Sequence, residues 1–325
     1  MGNPKGSEAG FTLFEETAFG QAPAVPDGVK LHLVTFGLTE SQELIEDETI
    51  GAGRGVNESM LGDITDDGDL TGNLNAMGHC FLIKHLLGAV STTGTGPYTH
   101  EFTIGNLPAG ALLELDNGPN LAGASRYTQN LGRRFTAGSF EFADKGPCKF
   151  TINTVGKKVA KSATPLDATP TDYGHTALSM FSAALEVDGS AFAHAKTISL
   201  NIDNEVQPDE SRVVGGLGTI QAADEGRGKV TGSMTGIYNA ASQALIDLAF
   251  ADQSSSLKIT LSKGDGLGSA GNESIEFLIP NLKFGPVVPG VEGPAGRSFS
   301  VDFSAFAQGS DLGIKVTVKN SIETI

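Results

Sequence analysis

Apolar and polar residues alternate along most of this chain; they rarely recur every third or fourth position. Residues 30–36 (KLHLVTF) put Leu31, Leu33 and Thr35 on one face and His32, Val34 and Phe36 on the other, which predicts a strand. Short runs at 101–104 and 111–116 behave alike, and Asn117-Gly118 follows the second as a turn signal. Residues 139–143 and 149–155 predict a strand pair around Lys145-Gly146-Pro147. Residues 177–187, Asp188-Gly189 and residues 192–202 predict a long hairpin on a two-residue turn. Runs at 256–262, 274–279, 298–305 and 312–319 complete the set. Two stretches have helical spacing instead: Leu74, Met77, Phe81, Leu82 and Leu86, and then Met234, Ile237, Ala241, Leu245 and Leu248. Each predicts an amphipathic helix of about four turns whose apolar stripe is core.

The segments that open these helices resemble each other. Leu70-Thr71-Gly72-Asn73-Leu74 and Val230-Thr231-Gly232-Ser233-Met234 lie 160 residues apart, each after an acidic-glycine turn, Asp67-Gly68 and Glu225-Gly226. Residues 30–36 match 196–202 (KTISLNI) at an offset of 166, and 149–155 (KFTINTV) match 298–304 (SFSVDFS) at 149. The order is kept while the offset drifts, as in a tandem duplication whose loops have changed length. The expected fold is therefore mainly β: two β-sandwich or barrel domains, residues 1–170 and 171–325, each with one flanking helix and a long loop. The junction falls in the Thr-, Pro- and Ala-rich stretch 157–172.

Composition supports the β reading. Glycine makes up 43 of 325 residues, about twice the usual share, with no G-X-Y period, so turns are numerous. The formal charge of −16 opposes a protein that grips nucleic acid through phosphates. Two cysteines, Cys80 and Cys148, are too few for a disulfide scaffold and read as reduced, buried thiols. Residues 1–10 are polar and show no secretory signal; no window approaches the length of a spanning helix. Residues 40–69 hold ten acids and one base, Arg54, and predict a long exposed acidic loop. Such a loop either serves an interaction or merely solvates the surface.

The sequence offers little chemistry. No HExxH, CxxC, P-loop or GxSxG occurs, and six histidines are scattered. Gly266-Leu267-Gly268-Ser269-Ala270-Gly271 matches a dinucleotide fingerprint in letters only, because a strand and not a helix follows it. No catalytic, cofactor or metal-binding residue is expected. The absence of Trp and the presence of only four Tyr count against a sugar- or base-stacking platform.

Several segments resemble phage major tail tube proteins of long, non-contractile tails. Residues 14–23, with Glu16, Gly20 and Pro23, resemble the family's E-x-x-x-G-x-x-P arm. Leu70-Thr71-Gly72 leading to Leu87-Gly88 resembles its G-x-L…LL-x-x-LG element. His100-Glu101-Phe102, Leu107-Pro108 and Leu112 to Leu115 resemble its H-x-F…LP…L-x-x-E hairpin; Ile279-Pro280-Asn281-Leu282 and the strand at 299–303 also fit. The resemblance spans nearly the whole chain. It implies a structural virion protein, made in the host bacterial cytoplasm, that self-assembles into stacked rings forming a hollow tube for DNA. It also implies a tape measure protein and tail-terminator or baseplate proteins as partners. Six-fold rings are the family norm, so a duplicated chain would give either hexamers or pseudo-hexameric trimers. The pore strands should show alternating acids or small polar residues. The acidic loop, with Glu46, Asp47, Glu48, Arg54, Glu58 and Asp63, should reach a neighbouring subunit, and Arg133, Arg134, Lys157 and Lys158 are its candidate basic counterparts. The competing reading is a tandem β-sandwich binding, adhesin or virion decoration module.

Overall fold

The computed structural model describes residues 2–50, 54–121, 123, 125–291 and 296–325. The first half runs β1 (Gly10–Glu16), β2 (Val29–Leu31), β3 (Thr35–Phe36), β4 (Thr39–Ile45), β5 (Met60–Asn73), α1 (Cys80–Leu87), β6 (Gly88–Thr93), β7 (Tyr98–Ile104), β8 (Gly110–Asp116), β9 (Tyr127–Ala143), β10 (Lys149–Val155) and β11 (Lys158–Ser162). The second runs β12 (Ala184–Val187), β13 (Ser190–Ala191), β14 (Ala195–Asp203), β15 (Lys229–Ile237), α2 (Ala240–Phe250), β16 (Ser255–Ser262), β17 (Ser274–Phe284), β18 (Ser298–Ala305) and β19 (Lys315–Asn320).

Antiparallel pairing joins these strands into one large sheet in the order β3/β4, β5, β10, β9, β14, β15, β18, β17. Two smaller layers back it. One is β2–β1–β8–β9–β11, the other β13–β12–β16–β17–β19–β7–β6. Strands β9 and β17 belong to both the large sheet and a backing layer. Between the layers lies one apolar cluster that includes Leu70, Phe140, Phe150, Leu200, Met234, Phe277, Val301 and Val316. Helix α1 lies beneath the sheet, its Leu86 against Gly138, where a Cβ would stand 2.5 Å from the leucine Cδ2. Gly88 ends that helix at φ 92°, a left-handed conformation that suits glycine, and its N–H returns to the Lys84 carbonyl. Asn239 and Ser242 form a capping box that starts α2.

The two halves correspond element by element. Apart from the cross-half pairings β9–β14 and β7–β19, strands β1, β2, β3/β4, β5, β8, β9, β10 and β11 have the pairing partners of β12, β13, β14, β15, β16, β17, β18 and β19, and among the described strands only the β6–β7 hairpin lacks a counterpart. The register corrects two of the offsets read from sequence: 166 and 160 are each four residues out, and residues 30–36 are divided between β2 and β3. Thr35 faces Thr71 as Thr197 faces Thr235, and Thr39 faces Asp67 as Asn201 faces Thr231. Thus residues 35–41 match 197–203 at 162, and residues 66–73 match 230–237 at 164. The burial alternation of the latter pair agrees at every position but the last. The 149 offset of β10 to β18 stands, since Lys149 faces the last residue of β5 and Ser298 faces the last residue of β15. This correspondence fits a tandem duplication.

Three expectations need correction. Residues 70–74 and 230–234 do not open helices; they lie at the end of β5 and inside β15. The helices start only at Cys80 and Ala240. Their period-two pattern was hidden because inward positions are glycine. A Cβ at Gly72 would stand 2.8 Å from the Phe150 ring, and one at Gly236 2.7 Å from the Phe299 ring. The acidic stretch 40–69 is largely a β-hairpin, with Thr39↔Asp67, Glu40↔Asp66 and Ile45↔Met60 paired. It needs no buried apolar face, because its base is rooted in the large sheet; residues 46–50 and 54–59 lie at the tip. The long hairpin expected over 177–202 is short: Asp188 (φ 51°) and Gly189 (φ 70°) turn β12 into two-residue β13, and the chain then leaves to pair as β14.

Candidate functional site

The large sheet buries one face and exposes the other, and the exposed face is chemically uniform. Cross-strand rows read Thr71–Thr151–Ser139–Asn201–Thr231–Ser304 and Asn73–Lys149–Glu141–Ser199–Ser233–Asp302. Neighbouring positions add Asp67, Asp69, Asn153, Ala137, Asp203 and Lys229. Apart from Val155 and Ile237 at its margins, this face presents hydroxyls, amides, alanines and charges. It holds five acids (Asp67, Asp69, Glu141, Asp203, Asp302) against three lysines (Lys149, Lys229 and Lys283, which faces Ser304) and, at its margin, Arg134 facing Val155, and among the described residues it shows no aromatic ring. The intervening residues Phe140, Phe150, Ile198, Leu200, Ile202, Val230 and Phe299 are buried beneath it. Alternation along each strand therefore separates a packed underside from a hydrated surface.

The hairpin β4–β5 projects from one end of this sheet. Its tip carries Glu46, Glu48, Arg54 and Glu58 exposed, with Asp47 half-buried. Hydrogen bonds from Thr49 hold the Asp47 carboxyl below its ordinary range. The Asn57 amide donates to the carbonyls of Asp47 (3.1 Å) and Thr49 (2.9 Å) and ties the two sides of the tip. Leu44, Ile50, Val56, Met60 and Leu61 are also largely exposed, so the arm is acidic and apolar together. Asp63 sits further down, 3.9 Å from Arg212 of the 204–228 connection. Arg212 also donates to the Ile64 carbonyl (3.0 Å), which seats that connection on β5.

The four basic residues paired with this arm by sequence are dispersed. Arg133 is fully buried, its guanidinium bound to the buried Asp66 and to Asn130 Oδ1 (3.1 Å). Arg134 donates to the Pro108 carbonyl at 2.6 Å and stands 3.7 Å from Glu225. Lys157 lies half-buried over the Phe19 ring at 5.7 Å. Lys158 alone is exposed, next to Val159, whose N–H donates to the Glu40 carboxylate at the arm's base (2.6 Å). Burial pushes the Asp66 carboxyl up to about 6 in spite of Arg133, so desolvation outweighs the ion pair.

Sequence reasoning met Glu16 only as the acid of the E-x-x-x-G-x-x-P arm and gave it no role. It is 5% exposed and accepts from the N–H groups of Gly20 (2.7 Å) and Gly132 (2.8 Å). Burial raises its carboxyl to about 7 against those bonds and the charge of Lys157. Two sequence signals mark it: an acid inside an apolar strand, FTLFEE, and the spacing to Gly20, whose N–H it accepts from.

The histidines serve structure. His79 and His85 are buried and held neutral by desolvation, down to about 3 and about 4. His100 bridges Thr92, Asn320 and the Ile322 carbonyl. Both cysteines are free and buried. Among the described residues no group of three His, Cys, Asp or Glu is placed to hold a metal ion, and no helix is long and apolar enough to cross a membrane. The GxGxxG letters at 266–271 form the turn between β16 and β17. A family model described as phage tail tube protein matches residues 6–305. No curated protein matches the chain.

Proposed function

The chain belongs to the phage tail tube protein family, a structural component of the virion tail, and from that premise we propose that its large sheet is one segment of a tube wall, with the hydroxyl- and acid-rich face turned to the lumen. The observation that carries this reading is that face itself. Eight strands closing on themselves would leave room only for side chains, and Ser, Thr, Asn and Asp cannot fill such a core. The face stays hydrated, and in the tube reading the sheet closes through other copies. Three chains of two four-stranded units give a barrel of twenty-four strands. At ~4.8 Å between strands and ~40° of tilt its diameter is about 45–50 Å between backbones. That leaves a water-filled channel wide enough for a double helix after the short side chains are counted.

A wall of this composition lets DNA slide. Acids outnumber bases on this face and its cations are spread singly among them, so charge repels on balance and no basic cluster grips a phosphate. Screening confines that repulsion to about 8 Å at physiological salt. Hydroxyls and amides hold a water layer, and the lack of aromatic rings removes stacking sites for bases. The acidic, apolar arm β4–β5 reaches a neighbouring subunit or ring, where its apolar residues become buried. A tape measure protein would occupy the lumen during assembly, and terminator and baseplate proteins would cap the ends, after synthesis in the host cytoplasm. The chain does no chemistry in this role.

The test is negative-stain electron microscopy of the purified protein, with class averages down the tube axis. Hollow rings of three chains, about 100 kDa each by mass measurement, are expected. Six chains per ring would refute the trimer, and a strict monomer at every concentration, even with preformed tail ends added as nuclei, would refute the tube.

A further inference from the structure

The joint between the two halves of the chain is a strand pair, β9 against β14, and it is well sealed. Phe142, Phe140 and Gly138 face Ile198, Leu200 and Ile202 in register. All six are buried. The element correspondence assigns an equivalent to each side of this joint at the outer edges of the large sheet. Phe36 and Leu38 stand where Ile198 and Leu200 stand, and β3 and β4 pair with β5 alone. At the other end, the continuation of β17 stands where β9 runs on past β10.

That continuation, residues 285–291, is not a strand. Gly285 donates to the Asp302 carbonyl (2.7 Å), and the ladder stops there. Beyond it the segment leaves β18, and a cavity of about 480 Å³ opens between Val287–Gly290 and Phe299. Val288 and Val291 are 77% and 71% exposed. The Arg297 guanidinium donates to the carbonyls of Pro289 and Gly290, acceptors a ladder would otherwise use. Pro286 and Pro289 remove two donors, the usual means of blunting an edge.

We propose that residues 285–291 are the strand this chain lacks, and that they form it only against the β3–β4 edge of a second copy. The partner is the same protein because the complement of this edge is already in the chain: Phe36, Gly37 and Leu38 repeat the apolar sequence of β14 that seals the internal joint. The inference rests on the tube reading. In the single chain the segment is held off β18, with Arg297 satisfying its carbonyls. On docking it closes the cavity beside Phe299 and buries Val287 or Val288 against Phe36 and Leu38 of the next copy. Ring closure and strand formation are then one event, and the prolines keep the free edge from pairing indiscriminately.

Two measurements on the full chain test this. Amide exchange at Val287, Val288, Gly290 and Val291 should slow about ten-fold or more on going from single chains to rings. Unchanged exchange in assembled rings overturns the proposal while the tube reading stands. Val288→Cys combined with Leu38→Cys, or with Thr39→Cys in a second variant, should form disulfides between chains, since paired strands bring Cα atoms within about 5.5 Å. A covalent ladder ending at three supports the seam and the trimer; one ending at six supports the seam and refutes the trimer. Rings that yield no link from either variant overturn the seam alone, whereas a chain that gives neither rings nor links overturns both.

Discussion

Replacing Ser139, Asn201 and Thr231 by lysine puts three cations on one cross-strand row in the middle of the polar face. All three side chains leave the sheet on its hydrated side, so the fold should tolerate them. The face then gains three positive charges per chain, and a ring of three gains nine ammonium groups pointing inward. If only three of the nine meet phosphates at once, counterion release gives a slope of about −2.7 in log affinity against log salt, about a 40-fold loss between 50 and 200 mM. Retention of double-stranded DNA by purified tubes across that salt range is the assay. Wild-type tubes should show no retention and no slope. Variant tubes should retain DNA at low salt and release it as salt rises, and particles built from them should eject DNA slowly. Equal retention by both, or a wild-type tube with the steeper slope, would refute the assignment of this face to the lumen.

Glu16 supplies a pH prediction. A carboxyl that folding raises from 4.5 to about 7 favours the folded state when protonated. Its contribution is whole below about pH 4.5 and lost as pH rises through 7, up to about 3 kcal/mol between those limits. Glu16→Gln should therefore gain stability relative to wild type as pH rises from 5 to 8.5 in urea unfolding; parallel curves would count against it. Gly236→Ala sets a methyl against the Phe299 ring and the His194 carbonyl, and should cost about 1–3 kcal/mol, read as a lower melting temperature. Charge reversal of Glu46, Asp47 and Glu48 to lysine should move the concentration at which rings form and its salt dependence, measured by sedimentation; polymerisation unaffected at every salt would remove the arm from assembly.

Much of the site is legible in the sequence. KFTINTV, KTISLNI and SFSVDFS each alternate a buried apolar residue with Thr, Ser, Asn or Asp, and those polar positions form the face. What alternation leaves open is adjacency: nothing local says that residues 139, 151, 201 and 231 share a row, because pairing partners up to 62 residues apart decide it. Glycine obscured the rest. Gly72 and Gly236 occupy core positions as the complements of Phe150 and Phe299, so a hydropathy pattern reads gaps where the packing has none. Arg133 misled for a related reason. Its neighbour Arg134 made the pair look like a surface patch, but a long strand sends adjacent side chains to opposite sides, one into the core with Asp66.

The β6–β7 hairpin has a mechanical consequence. It belongs to the first half of the chain, yet β7 pairs with β19, the last strand of the second, from Lys315↔Thr103 to Asn320↔Tyr98. The joint inside each chain is thus riveted twice, once through β9 and β14 and again through this clasp, and it is covalently continuous besides. A seam between chains has neither clasp nor peptide link. A pressurised or bent tube built this way has alternating strong and weak staves, and it should split lengthwise along the joints between chains before any chain opens at its middle.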